Sequence, residues 1–305
     1  MFDTVRDKLP KLYIVIPCYN EEEVLPLTAP KFLDKIKSLA DRGFIAEDSR
    51  VLFVNDGSKD DTWNVISTFA NEDEHYQGIS LSRNRGHQNA LLAGLMEVKD
   101  RCDITISIDC DGQDDINAMD DMIREYHSGA EIVYGVRSDR KSDSFFKRST
   151  AQGYYKILNK MGVEVIYNHA DYRLTSSVVL NALSEFKEVN LYLRGMFALI
   201  GFKSTSVYYE RHEREAGKSH YPLKKMLGLA IDGVTSFSIQ PIRFITGMGI
   251  FMAFMSFALI IYALISYATG NVVHGWASNI IVVLLIGGIQ LISLGVIGEY
   301  IGKIY

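Results

Sequence analysis

From Phe244 to Gly298 the chain carries no Asp, Glu, Lys or Arg. Two apolar spans, about 244–268 and 276–298, flank a short turn, Thr269-Gly270-Asn271-Val272-Val273-His274-Gly275. Each span reaches the roughly 20 apolar residues needed to cross a hydrocarbon core of about 30 Å. A stretch of this kind is best housed as a transmembrane helical hairpin, whose backbone groups are satisfied within each helix. Lys224, Lys225 and Arg243 precede the first span, Lys303 follows the second, and the turn has neither Lys nor Arg. The positive-inside rule then puts both termini, and everything ahead of the hairpin, in the cytoplasm. Between about 223 and 240, Leu223, Met226, Leu227, Ala230, Val234 and Phe237 recur at helical spacing, with Lys224, Lys225 and Asp232 opposite. An ordinary packed helix shows the same stripe, but beside two spans it reads as a helix lying in the membrane interface.

The upstream part has a different grammar. Short apolar runs at about 12–17, 50–55, 78–81, 104–108 and 131–135 alternate with stretches of helical character. Alternation of this type predicts an α/β domain built on a mostly parallel, doubly wound sheet. Asn20 is the expected N-cap of the first helix, with Glu21, Glu22 and Glu23 in its first turn. Past 140 the alternation weakens, with helical stretches near 145–161 and 176–186 and a strand at about 204–209. The expected organisation is a domain over 1–221, an amphipathic helix over 222–243 and the hairpin over 244–305.

The fourth apolar run, Ile104-Thr105-Ile106-Ser107-Ile108, empties into Asp109-Cys110-Asp111-Gly112-Gln113-Asp114-Asp115. In open α/β sheets, ligands bind outside the carboxyl ends of the strands. If the strand continued, Asp109 and Asp111 would share a face. Two convergent carboxylates suit a hard cation, Mg²⁺ or Mn²⁺, completed by substrate phosphate oxygens. An EF-hand loop does not fit, because it needs glycine at its sixth position and Gly112 stands at the fourth.

A formal charge of −5 and a pI near 5.8 give no electrostatic case for nucleic acid. Three cysteines, at 18, 102 and 110, match no zinc spacing and read as buried thiols of a reducing compartment. The first dozen residues, with Asp3 and Asp7, have no apolar core and do not form a signal peptide.

Taken together, Pro17-Cys18-Tyr19-Asn20-Glu21, Val54-Asn55-Asp56-Gly57-Ser58, Asp109-Cys110-Asp111-Gly112-Gln113-Asp114, Asp171-Tyr172-Arg173-Leu174 and Arg214-Glu215-Ala216-Gly217-Lys218-Ser219-His220-Tyr221 resemble, in that order, the motifs of family-2 glycosyltransferases. With the two-span tail, the chain is similar from about residue 12 onward to the polyprenyl-phosphate type, the bactoprenol glucosyltransferases and dolichol-phosphate mannose synthases. The resemblance implies a GT-A fold and inverting transfer of a hexose, glucose first, from a UDP-sugar to polyprenyl (undecaprenyl) phosphate. It implies that Pro17, Tyr19, Glu21 and Asp56 line the nucleoside pocket, with Asp56 accepting from the base N–H. Asp109 and Asp111 would hold the metal on the diphosphate, and Arg214 and Lys218 would reach phosphate from a mobile loop. Asp171 would be the base, or else orient Arg173 or a sugar hydroxyl. Lys224, Lys225 and Arg243 would sit near the acceptor phosphate at the bilayer surface. The implied partners are the nucleotide-sugar, the polyprenyl phosphate, the bilayer and further copies of the chain. Two departures stand out: Asp115-Ile116 where the family has prolines, and His220 where it often has lysine. A processive polysaccharide synthase would carry Gln-x-x-Arg-Trp, which Gln240-Pro241-Ile242-Arg243-Phe244 misses by one residue. A catalytically silent membrane anchor would have no use for the intact carboxylates.

Overall fold

The computed structural model describes residues 8–138, 169–186, 193–211 and 276–304, together with scattered positions between 242 and 269. The chain divides into two compact units. The first holds a seven-stranded sheet, β1 (Leu12–Cys18), β2 (Arg50–Asn55), β3 (Tyr76–Ser80), β4 (Ile104–Ser107), β5 (Ile132–Arg137), β6 (His169–Ser176) and β7 (Ser204–Tyr209), in the order β3-β2-β1-β4-β6-β5-β7.

The central strand β1 is buried along its whole length. Leu12, Ile14, Ile16 and Cys18 pack on one face with side chains of α1 (Leu25–Asp41) and α4 (Ala118–His127), among them Phe32, Ile36, Met119 and Ile123. Tyr13 and Val15 pack on the other with α3 (His87–Val98), α5 (Ser177–Ser184) and α6 (Leu193–Leu199), through Leu91, Leu95, Leu180 and Phe197. Covering both faces is why the strand reads as an unbroken apolar run instead of an alternating one. α2 (Thr62–Glu72) lies beside β3.

The parallel expectation holds for β1 with β2 and β4, for β2 with β3, and for β5 with β7. It fails at β6, which runs antiparallel to both β4 and β5. The sheet is therefore mixed, with one reversed strand in its interior. Asn20 is not the cap of α1. The helix starts at Leu25 after Val24, and Asn20 takes a left-handed φ of 56° while its Oδ1 accepts from the Lys59 N–H at 2.9 Å. Its side chain is spent on the neighbouring turn, and the three glutamates precede the helix.

α3 lies close on the sheet. A Cβ added at Gly94 would stand 2.5 Å from Cγ1 of Val15 and 2.6 Å from Cγ2 of Val54, so glycine is what lets the helix approach β1 and β2.

In the second unit, α7 runs from Trp276 to Ile304, 29 residues. Phe251, Phe254, Phe257, Val283, Ile292 and Leu294 are all exposed. Among the described residues no helix is long and apolar enough to cross a membrane; the side chains of Ile280, Ile281, Leu284 and Leu285, in the most apolar part of α7, lie outside that set.

Candidate active site

The reversal of β6 determines what meets at the end of the sheet. Ser107, the last residue of β4, pairs with Arg173, and its hydroxyl donates to the Asp171 carbonyl at 2.6 Å. Beyond that pair Asp109 and Asp171 reach the same point, with His87 Nε2 3.6 Å from one and 3.3 Å from the other. Carboxylates far apart in sequence thus meet at the carboxyl ends of β1, β2 and β4, where an open α/β sheet offers its ligand site.

Strand β4 stops two residues before Asp109, so the expected continuation through Asp109 and Asp111 is corrected: the two acids sit on a turn. Gly112 turns the chain with a φ of 69°, and the Gln113 N–H donates to Asp111 Oδ1 at 3.1 Å. Asp111 is 8% exposed. Asp109 keeps a third of its side chain accessible. Burial pushes its carboxyl upward, His87 acts against that, and Asp114, Asp171 and Asp111 add to it. Water at the open third moderates the rise without reversing it.

The nucleoside-side residues flank this point. Pro17 is buried within β1, opposite Val54. Tyr19 is 38% exposed, and the Glu21 N–H donates to Thr62 Oγ1 at 2.8 Å. Asp56 is 2% exposed, and its two oxygens accept from the backbone N–H groups of Arg85 at 2.7 Å and Gly86 at 2.9 Å. In this structure Asp56 holds the 82–86 turn against the end of β2. Gly57 allows that contact, because a Cβ there would lie 2.5 Å from the Arg83 carbonyl carbon.

The turn delivers two residues that the sequence did not single out. His87 Nε2 faces Asp171 Oδ2 at 3.3 Å and Asp109 Oδ1 at 3.6 Å, and Gln88 Nε2 donates to the same Asp171 oxygen at 3.2 Å. Their only sequence signal was position, immediately after a strand and a glycine. Arg173, two residues along β6, is 1% exposed, its guanidinium 4.2 Å from the Phe197 ring centroid and 5.2 Å from that of Tyr134.

A second cluster ties the acidic turn to β7. Asp114 Oδ1 accepts from the Tyr209 hydroxyl at 2.7 Å and from Arg137 at 3.4 Å. Arg211 forms an isolated antiparallel bridge with Asp114, and its guanidinium donates to Gln113 Oε1. Arg214, Lys218, Lys224, Lys225 and Arg243 lie outside the described residues, as do His220 and the amphipathic stretch over 223–240. A groove of about 500 Å³ runs along β3 between Arg50, Gln77 and Arg101; Asp109, Asp111, Asp114 and Asp171 do not line it.

Among the described residues no group of three or more His, Cys, Asp or Glu side chains is arranged to hold a metal ion. Asp109 and Asp111 nonetheless offer the hard oxygen donors that Mg²⁺ and Mn²⁺ take when substrate phosphate supplies the rest of the shell. Asp109 keeps a third of its side chain accessible and stands two residues from Asp111, and a carboxylate pair of this kind has the donor chemistry that suits such an ion. The three cysteines are free and buried. A hydrogen bond with Cys18, followed by burial, pushes the Cys110 thiol far up, which makes it inert.

Comparison with known proteins bears on this geometry. Residues 13–183 match the model of glycosyl transferase family 2, and residues 240–304 match the GtrB C-terminal hairpin. The chain is 50% identical to the uncharacterized glycosyltransferase YkoT of Bacillus subtilis (strain 168), over 99% of this chain and 89% of that one. It is 37% identical to the bactoprenol glucosyl transferase of Shigella phage SfX, over 97% of this chain and 95% of the relative. A crystal structure of glucosyl-3-phosphoglycerate synthase from Mycobacterium tuberculosis with phosphoglyceric acid superposes with a TM-score of 0.51 at 15% identity, over 74% of this chain and 78% of the other. At that identity the likeness is one of fold.

Proposed function

The chain belongs to glycosyl transferase family 2, and on that premise we propose that it moves a hexose, glucose first, from a UDP-sugar to polyprenyl phosphate at the cytoplasmic face of a membrane, with inversion. The observation that carries this reading is the joining in one chain of an acidic site at strand ends and a C-terminal hairpin. Relatives bearing the name bactoprenol glucosyl transferase align with both parts.

The main barrier is the charge that develops on the departing nucleoside diphosphate. Asp109 and Asp111 would hold a Mg²⁺ or Mn²⁺ ion, which supplies Lewis-acid stabilisation to the diphosphate oxygens. Tyr19 and Glu21 border the nucleoside side, and Asp56 stiffens the turn beneath it. Arg214 and Lys218 would add positive charge from their loop. A phosphate monoester has a second pKa of about 6, so the acceptor is mostly a dianion at neutral pH and needs orientation more than deprotonation. Asp171 would serve as base, or else orient Arg173 or a sugar hydroxyl.

The membrane assignment rests on the hairpin. In the sequence, residues 276–298 carry no formal charge, a run of the length that a hydrocarbon core of about 30 Å calls for. Exposed Phe251, Phe254, Phe257, Val283 and Ile292 are out of place in water and at home in acyl chains. Polyprenyl phosphate keeps its phosphate at the headgroup level, which gives an enzyme of soluble donors a reason to stay there. A panel of nucleotide-sugars with purified full-length protein and polyprenyl phosphate tests the reading. UDP-glucose should yield a lipid-linked hexose faster than any other donor. No lipid-linked sugar from any donor would overturn the acceptor, and a preferred guanine donor would overturn the base.

A further inference from the structure

We propose that His87 and Gln88 together form a clamp that fixes the Asp171 carboxylate on the acceptor side of the site, so that turnover depends on them while donor binding does not. This rests on the transferase reading above and assigns positioning residues to it.

Asp171 stands opposite Asp109 with only 7% of its surface exposed. Asp171 and Asp109 repel, Asp171 being one of the charges that push the Asp109 carboxyl up, and an unrestrained side chain would turn away. The β6 backbone is secured by the Ser107 hydroxyl bond to the Asp171 carbonyl, but that leaves the side-chain torsions open. His87 Nε2 at 3.3 Å and Gln88 Nε2 at 3.2 Å both approach Oδ2 of Asp171, which restricts those torsions. The same imidazole nitrogen stands 3.6 Å from Asp109, beyond hydrogen-bond range. The two contacts of the clamp thus converge on one oxygen of Asp171.

The support behind the clamp is rigid. Both residues lie in the first turn of α3, whose start is held by Asp56 through the Arg85 and Gly86 N–H groups. The helix body lies on β1 and β2 at Gly94. A reacting group needs to be held to within a fraction of an ångström, and residues on a packed element do this better than residues on a loop.

The test compares His87→Ala, His87→Gln and Gln88→Ala in the full-length protein in nanodiscs. Glutamine places its amide nitrogen where imidazole Nε2 stands, so it keeps the donor. Both alanine variants should lower kcat by about 10- to 100-fold, with the donor KM and the calorimetric affinity for UDP with Mn²⁺ held within about twofold. His87→Gln should recover most of the loss. Unchanged kcat in both alanine variants overturns the clamp. So does UDP–Mn²⁺ affinity that falls in step with kcat, which would put His87 at the metal end, and so does a glutamine variant no better than alanine. Failure of the functional reading shows differently: the wild type itself then transfers to no polyprenyl phosphate, and the variants are ranked by donor hydrolysis to water.

Discussion

Asp111 is held in a turn by the Gln113 N–H, a bond its neutral amide would still accept through the same oxygen. Asp111→Asn thus removes the charge and keeps that bond. We expect transfer to fall by about 100-fold or more, in line with the loss of one electrostatic contact to a developing anion, while the unfolding temperature stays put. EDTA should silence the wild type, and Mg²⁺ or Mn²⁺ should restore it; transfer that survives exhaustive chelation would remove the metal from the account. At this scale the acids were legible, because an apolar run that breaks into carboxylates is visible in any reading of the chain. His87 and Gln88 were not. Gln88 and Asp171 are 83 positions apart, and nothing near either residue names the other. The Asp114 contacts to Tyr209 and Arg211 escaped for the same reason.

Among the elements, β1 to β5, β7 and α1 to α5 follow the apolar periodicity closely, with boundaries shifted by a few residues. β6 was missed although it carries the alternation of a strand, with Ala170, Tyr172 and Leu174 set between Asp171, Arg173 and Thr175. Its polar side is buried too, Asp171, Arg173 and Thr175 included, where the pattern alone would place that side in water. Helix docking gives a stability test. Asp120 of α4 bonds Arg42 at 2.7 Å and Lys35 of α1 at 2.5 Å, and Lys35 is only 8% exposed. Burial would raise the Asp120 carboxyl, but its bonds to Arg42 and Lys35 outweigh that and hold it below the ordinary range. A depressed carboxyl stabilises the fold above its unfolded pKa of about 4 and loses that contribution as pH falls through its folded value. Asp120→Ala should therefore cost about 1–3 kcal/mol at pH 7 by leaving the Lys35 ammonium without its carboxylate, Asn117 Oδ1 remaining at 3.2 Å. The penalty, read from denaturant midpoints, should shrink as the pH is taken below about 4; a pH-independent penalty would trace it to packing instead.

For the whole molecule, the acidic balance of −5 makes the basic pair ahead of the hairpin matter more. If Lys224 and Lys225 face the headgroups, each contributes about 1 kcal/mol of attraction to an anionic surface. Reversing both to Glu should slow transfer in anionic vesicles much more than in neutral ones, with donor hydrolysis unchanged; equal slowing in both kinds of vesicle would leave these lysines no role at the surface. The single reversed strand has a further consequence, one of timing. β1 to β4 are all synthesised by residue 107 and pair with one another. β5 pairs only with β6 and β7, so once made it has no edge to join until residues 169–176 have left the ribosome. Pairings of this sequence separation are slow to form. The last interior strand to arrive is the one that carries Asp171, so a nascent chain can hold half a sheet for some time but cannot bring its opposing acids together before the sheet is joined across its middle.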